Sequence, residues 1–222
     1  MHEQFRRRRL PHWDVPGATY FVTACFVTAC LDGSIPARGL LEIAEYRQSL
    51  EQRPRPEAMT EEDWRHHRSK LVFGRMEEWL DERPVVRHLE QPALAEIVMA
   101  ALRHFDGDRY ELFAFVVMPS HFHWVFRPLD RWVESLGADA DTRTPRERIM
   151  HSVKRFAANQ CNQFLGQTGR FWQGESYDHW VRDEDELERI IDDVELNPVK
   201  GRIARSRESY EYSSAFRRGV GL

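Results

Sequence analysis

The chain has 222 residues, 41% hydrophobic and 31% charged, which is the composition of a globular protein long enough to bury a substantial core, not of a disordered one. Its 32 Lys+Arg against 36 Asp+Glu give a formal charge of −4, which argues against a globally basic nucleic-acid binder. The longest apolar run, Leu112 to Met118, falls far short of the roughly 20 residues of a membrane helix. No secretory leader is expected. Cys25, Cys30 and Cys161 are odd in number and lack metal-ligand spacing, which fits a reducing cytoplasm.

In chain order, Ala18 to Cys30 is rich in β-branched and aromatic residues and predicts a strand. Within it Phe21-Val22-Thr23-Ala24-Cys25 is repeated at once as Phe26 to Cys30. The odd period would turn equivalent side chains to opposite faces, so a bend is expected. Leu40 to Arg83 reads as charged helix, broken at Arg53-Pro54-Arg55-Pro56. Its second part starts at Thr60 with Asp63 and carries Val72, Met76, Trp79 and Leu80 at helical spacing. A helix from about Pro92 to Phe105 follows, then a turn at Asp106-Gly107-Asp108. Tyr110 to Met118 and His121 to Phe126 form two strands joined at Pro119-Ser120. Thr144 caps a helix that starts at Pro145 and ends at Gly166, with Ile149, Val153, Phe156, Ala157, Cys161 and Phe164 as its apolar stripe. Ser176 to Arg182 is a further strand. Asp183 caps the last helix, with Glu186 at the capping-box position and Leu187, Ile190, Ile191 and Val194 inward; Asn197-Pro198 is expected to stop it. This order implies an α+β fold with a mainly antiparallel sheet.

Charge is segregated. Arg6, Arg7, Arg8 and Arg9 form a run, and six basic residues from Lys200 onward oppose only Glu208 and Glu211. From Val181 to Leu196, eight acids oppose Arg182 and Arg189. A local phosphate-binding face is compatible with such a chain. Solvated surface charge is the other reading.

The sharpest local signal is His121-Phe122-His123 at the start of an apolar strand. Alternate residues share a face, so the two imidazoles lie about 6.6 Å apart along the strand and can converge on one divalent ion if another element supplies a third ligand. Two strand histidines with no ligand are the plainer reading. On the last helix, Glu186, Asp193 and Asn197 line one flank, which makes Asp193 and Asn197 candidates for the same site.

Several blocks, in order, carry a resemblance to a family. They are Leu10-Pro11-His12-Trp13 leading to Tyr20-Phe21-Val22-Thr23, then Val117-Met118-Pro119-Ser120-His121-Phe122-His123 and Ser152-Val153-Lys154-Arg155-Phe156. Phe171-Trp172-Gln173, Tyr177-Asp178-His179 with Arg182-Asp183-Glu184, and Asn197-Pro198-Val199-Lys200-Gly201 complete the set. Together they resemble the REP-associated tyrosine transposases, a branch of the HUH single-strand DNA transposases. The likeness spans nearly the whole chain, read as a single domain over 1–222 with a less diagnostic helical insertion at about 40–84.

The resemblance implies a ferredoxin-like antiparallel sheet with packed helices, acting on hairpin or single-stranded DNA as a monomer or homodimer. It implies strand nicking and transfer through a divalent ion, Mg²⁺ or Mn²⁺, and a tyrosine nucleophile. His121 and His123 match the metal pair, and Asn197 matches the polar residue one helical turn after the nucleophile. The nucleophile position itself is Asp193, in a segment without tyrosine. Tyr177, the nearest tyrosine, is a candidate substitute or a packing residue. Asp193 would favour hydrolysis over strand transfer, or would join the histidines as a carboxylate ligand. A DNA-binding relative without catalysis is the competing expectation. Candidate DNA contacts are Arg6 to Arg9, Lys154 and Arg155 on the exposed side of their helix, Trp172 as a base platform, and Lys200.

Overall fold

A period-two pattern governs the centre of the chain, and the sheet follows from it. The structure is a computed structural model and describes residues 4–7, 11–14, 25–137, 143–174, 176–181 and 183–216. Strands β1 (Gln4–Arg7) and β2 (Pro11–Asp14) form an antiparallel hairpin near the N-terminus. The main sheet comprises β3 (Cys25–Cys30), β4 (Tyr110–Val117), β5 (His121–Pro128) and β6 (Tyr177–Trp180), in the order β4-β5-β3-β6 with every neighbour antiparallel. Helices α1 (Ala37–Glu51), α2 (Glu61–Glu82) and α3 (Pro92–Arg103) fall between β3 and β4. The short α4 (Asp130–Ser135) and then α5 (Pro145–Leu165) precede β6, and α6 (Glu184–Lys200) follows it. Counted from β3, the split βαββαβ order is the ferredoxin-like arrangement, so the expected α+β class is the observed one.

Alternation divides the sheet into two faces. On one, Ala29, Phe115, Val117, Phe122, Trp124 and Phe126 pack against α3 and α5 in the main core. Trp124, Phe122 and Phe126 are at most 1% exposed, and burying each such side chain contributes about 2–3 kcal/mol. On the other, Ala114, Val116 and Val125 meet Val194 and the inward residues of α6. Helix α2 lies beside α6 over this second face, with Phe73 stacked on Tyr177 at 3.9 Å between ring centroids. The histidines of β5 share this face, where α6 and α2 adjoin.

Most helix boundaries follow their caps. Thr144 accepts from the Glu147 N–H in a reciprocal capping box, Pro145 opens α5, and Gly166 closes it in the left-handed region at φ 63°. Thr60 caps α2 and Asp183 caps α6.

Three expectations change, and one lies outside the described residues. Pro198 does not stop α6, which continues to Lys200. Proline forfeits one hydrogen bond in the final turn, but Gly201 N–H still reaches the Asn197 carbonyl at 2.8 Å. Glu186 turns its carboxylate across to Lys70 of α2 at 2.8 Å. Phe156 and Phe164 of α5 are 52% and 55% exposed, because α5 seats only its Ile149, Val153, Ala157 and Cys161 side on the sheet. The first copy of the repeated pentapeptide lies outside the described residues, except for Cys25, which opens β3; the second copy is β3 itself.

A candidate metal centre between the sheet and two helices

His121 and His123 point from β5 to the same side, and their Nε2 atoms stand 3.1 Å apart. For donors about 2.1 Å from a shared ion, a right angle at the ion separates two nitrogens by about 3.0 Å and a tetrahedral angle by about 3.4 Å. The spacing suits one cation bound by both rings.

The far side of each ring is anchored. His121 Nδ1 lies 3.0 Å from Ser120 Oγ, and that hydroxyl donates to the Leu80 carbonyl at 3.3 Å. The Ser120 oxygen is therefore left to accept, which puts the proton on His121 Nδ1 and bares Nε2. His123 Nδ1 lies 2.8 Å from Thr28 Oγ1, on the neighbouring strand. Anchoring through the second nitrogen is how metal-binding histidines are usually oriented. Both rings are 1% exposed. Burial holds His121 down to about 3, and burial, then His121, then Lys200 push His123 well below its ordinary value. Both imidazoles are neutral near pH 7.

The opposing helices bring oxygen. Glu77 of α2 places Oε2 3.4 Å from His123 Nε2, and Asp81, one turn later, places Oδ1 4.0 Å from His121 Nε2. Asn197 of α6 reaches His123 Nε2 through Nδ2 at 3.1 Å. Glu77, His121 and His123 form a compact group with metal-ligand geometry. Glu77 Oε1, Asp81 Oδ1 and Asn197 Oδ1 are buried without a hydrogen-bond partner. Such orphaned acceptors are costly unless a cation or donor meets them. Burial, then Asp81, push the Glu77 carboxyl well up, and burial raises Asp81 to about 6. The two neutral imidazoles and the Glu77 carboxylate, with the Asn197 oxygen beside them, make a donor set that fits a divalent ion.

Neither Glu77 nor Asp81 was expected from sequence. Both lie in the segment read as an insertion, among many other acids. The available signal was their spacing of four on the flank of the Val72, Trp79 and Leu80 stripe.

The remaining candidates are dispersed. Asp193 is 71% exposed and ion-paired with Lys200 at 2.7 Å; it falls on the outer edge of its flank, between the turns that bury Glu186 and Asn197. Lys200 stands at the rim, close enough to act electrostatically on Glu77, Asp81 and His123. Tyr177 pairs with Thr28, which pairs with His123, so all three share one row of the sheet. Its buried ring is stacked on Phe73, and burial pushes its hydroxyl pKa up. Lys154, expected on an exposed side, is half-buried and donates to Ser176 Oγ at 2.7 Å, while Arg155 is exposed. The cause is the β6 approach, which folds over that edge of α5. Trp172 is 5% exposed, packs edge-on against Phe122 and Phe171, and donates to the Lys154 carbonyl. Arg6 and Arg7 lie in β1. Arg8, Arg9, Arg182, Arg217 and Arg218 lie outside the described residues, as does Tyr20 to Thr23.

Among solved structures, the chain is similar to a REP-associated tyrosine transposase bound to a REP hairpin. The two share 14% identity over 91% of this chain and 82% of that one, with a TM-score of 0.46. No protein-family model matches the chain, and no curated protein does. No helix among the described residues is long and apolar enough to cross a membrane.

Proposed function

We propose that the chain is a divalent-metal-dependent DNA-nicking protein of the HUH class that acts on hairpin or single-stranded DNA. The observation that carries the proposal is the pair of anchored, neutral histidines facing the unpartnered oxygens of Glu77 and Asn197. The ordered sequence blocks around that pair supply the class of substrate. A bound Mn²⁺ or Mg²⁺ would polarise the scissile phosphate and offset the charge that develops on it.

The chain's own residues then divide the work. His121 and His123 would hold the ion together with Asn197 from α6, and Ser120 and Thr28 keep both rings aligned. Lys200 at the rim holds a neighbouring phosphate once Asp193 releases it. Water is the nucleophile in this proposal: its oxygen bonds to phosphorus as the bond to the 3′ oxygen breaks, the proton that water loses passes through solvent to that 3′ oxygen, and no protein–DNA adduct forms. Asp193 stands where a tyrosine would otherwise act, faces solvent and is occupied by Lys200, and an acyl phosphate formed on it would hydrolyse.

The test is cleavage of hairpin-flanked single-stranded DNA with Mn²⁺. Nicking without a covalent adduct is the expected result, abolished by His121→Ala. Nicking that survives this substitution places the chemistry elsewhere, and a covalent adduct lost in Tyr177→Phe returns the reaction to a tyrosine. A second reading, hairpin binding without cleavage, is favoured by the aspartate at position 193. It predicts salt-sensitive binding and intact DNA under every divalent ion.

A further inference from the structure

Helix α2 has two unlike long sides. Val72, Trp79 and Leu80 join Ile43 and Leu50 of α1 in an apolar cluster, so the two helices close largely upon each other. The side turned to the sheet is mostly charged. Lys70 reaches Glu186, and Glu77 and Asp81 end beside the histidine rings. Charged groups gain nothing from burial alone, and two carboxylates one turn apart repel each other. What these groups meet there is a pair of imidazole Nε2 atoms 3.1 Å apart. Asn197, 6% exposed, also directs an unpartnered Oδ1 from α6. Without a cation, Glu77 Oε1, Asp81 Oδ1 and Asn197 Oδ1 have no hydrogen-bond partner, although the Asn197 amide reaches His123 Nε2 at 3.1 Å.

We propose that a divalent ion fastens α2 to the sheet, with Asp81 as well as Glu77 reaching an ion held by His121 and His123, so that the α1–α2 hairpin is an ion-locked lid. The inference rests on the metal reading above and deepens it. With both rings 1% exposed, a DNA phosphate reaches the ion only where α2 gives way. Its oxygens then take the places of the Glu77 and Asp81 carboxylates, which carry the same charge and the same kind of donor atom. The lid thus excludes weak anionic ligands and yields to a polyanion that Lys200 and its neighbours also hold.

The experiment follows amide hydrogen exchange across residues 61–82 in the full chain, with and without Mn²⁺ alone, beside Mn²⁺ titration calorimetry. Mn²⁺ is expected to slow exchange in α2 by about tenfold or more. Asp81→Asn is expected to bind Mn²⁺ about tenfold more weakly and, when saturated, to regain less protection. Binding of Mn²⁺ by the unmodified chain with α2 exchange unchanged overturns the lid and leaves the metal centre standing. Absence of Mn²⁺ binding overturns both. Asp81→Asn binding as tightly as the unmodified chain removes Asp81 from the ion's shell. The first comparison needs no variant, so a substitution that fails to fold does not shelter the proposal.

Discussion

Substituting Asp81 by asparagine should stabilise the metal-free protein while weakening its response to metal. Burial raises this carboxyl from 3.8 to about 6, and at about 1.4 kcal/mol per tenfold change in acidity the difference comes to about 3 kcal/mol. Because folding raises the pKa, the protonated form is the one folding favours. That contribution is fully present below pH 3.8 and is lost as pH rises through about 6. At pH 7 without metal, the folded chain therefore carries a penalty that asparagine lacks. Allowing about 1 kcal/mol for the buried amide, Asp81→Asn should be more stable by about 1–2 kcal/mol at pH 7, with the advantage gone near pH 4. Metal reverses the balance. At a Mn²⁺ concentration 100 times the dissociation constant the unmodified chain gains about 2.7 kcal/mol, and a variant binding tenfold more weakly gains about 1.4 kcal/mol. Urea unfolding at pH 4 and 7, in chelator and in Mn²⁺, measures all four states. An Asp81→Asn variant no more stable than the unmodified chain in chelator at pH 7 would refute the reasoning, as would an advantage equal at both pH values.

Three further outcomes are expected. Thr28→Val removes the hydroxyl behind His123 at nearly constant volume, and Mn²⁺ affinity should fall about 10–100-fold in calorimetry. Burial holds the Lys154 ammonium down to about 8 from 10.5, so folding favours its neutral form. The resulting stabilisation is present above pH 10.5 and lost as pH falls through 8. Discounted for the water a half-buried ammonium keeps, it amounts to about 2 kcal/mol, and Lys154→Met should flatten that pH profile in urea titrations. At Gly39 an added Cβ would stand 2.8 Å from Trp79 Cδ2 and 2.9 Å from Ile35 Cγ2. Gly39→Ala should therefore cost about 1–2 kcal/mol in thermal unfolding, despite the helix propensity of alanine.

Local chemistry was the legible part of this sequence. Thr144, Pro145 and Gly166 bounded α5 because capping involves only neighbouring residues, and strand alternation put His121 and His123 on one face for the same reason. What local pattern does not carry is the partner of each face. Phe156 and Phe164 satisfy helical spacing as well as Val153 does, yet α5 turns them outward because only its Ile149, Val153, Ala157 and Cys161 side is buried. Glu77 and Asp81 are separated from the histidines by the whole of α3 and β4. Glu78 and Glu82 stand beside them in the same last turns of α2, and nothing but tertiary packing selects Glu77 and Asp81. Asp193 shows the reverse case: its spacing to Asn197 suggested a shared direction, and one step around the helix was enough to turn it to Lys200 and solvent.

The α1–α2 hairpin leaves the sheet after β3 and comes back at a point fixed by one backbone contact, the Val85 N–H on the Ser34 carbonyl at 2.9 Å. Its entry and exit are therefore adjacent, and its apolar side is largely spent on itself. Such an excursion is modular: it can be excised at that contact and rejoined by a short turn without altering the pairing of any strand. Without it the strands would keep their pairing, but the two histidines would lose the carboxylates of α2 and the Leu80 carbonyl that anchors Ser120. One self-packing hairpin thus sets the difference between an open pair of rings and a closed seam.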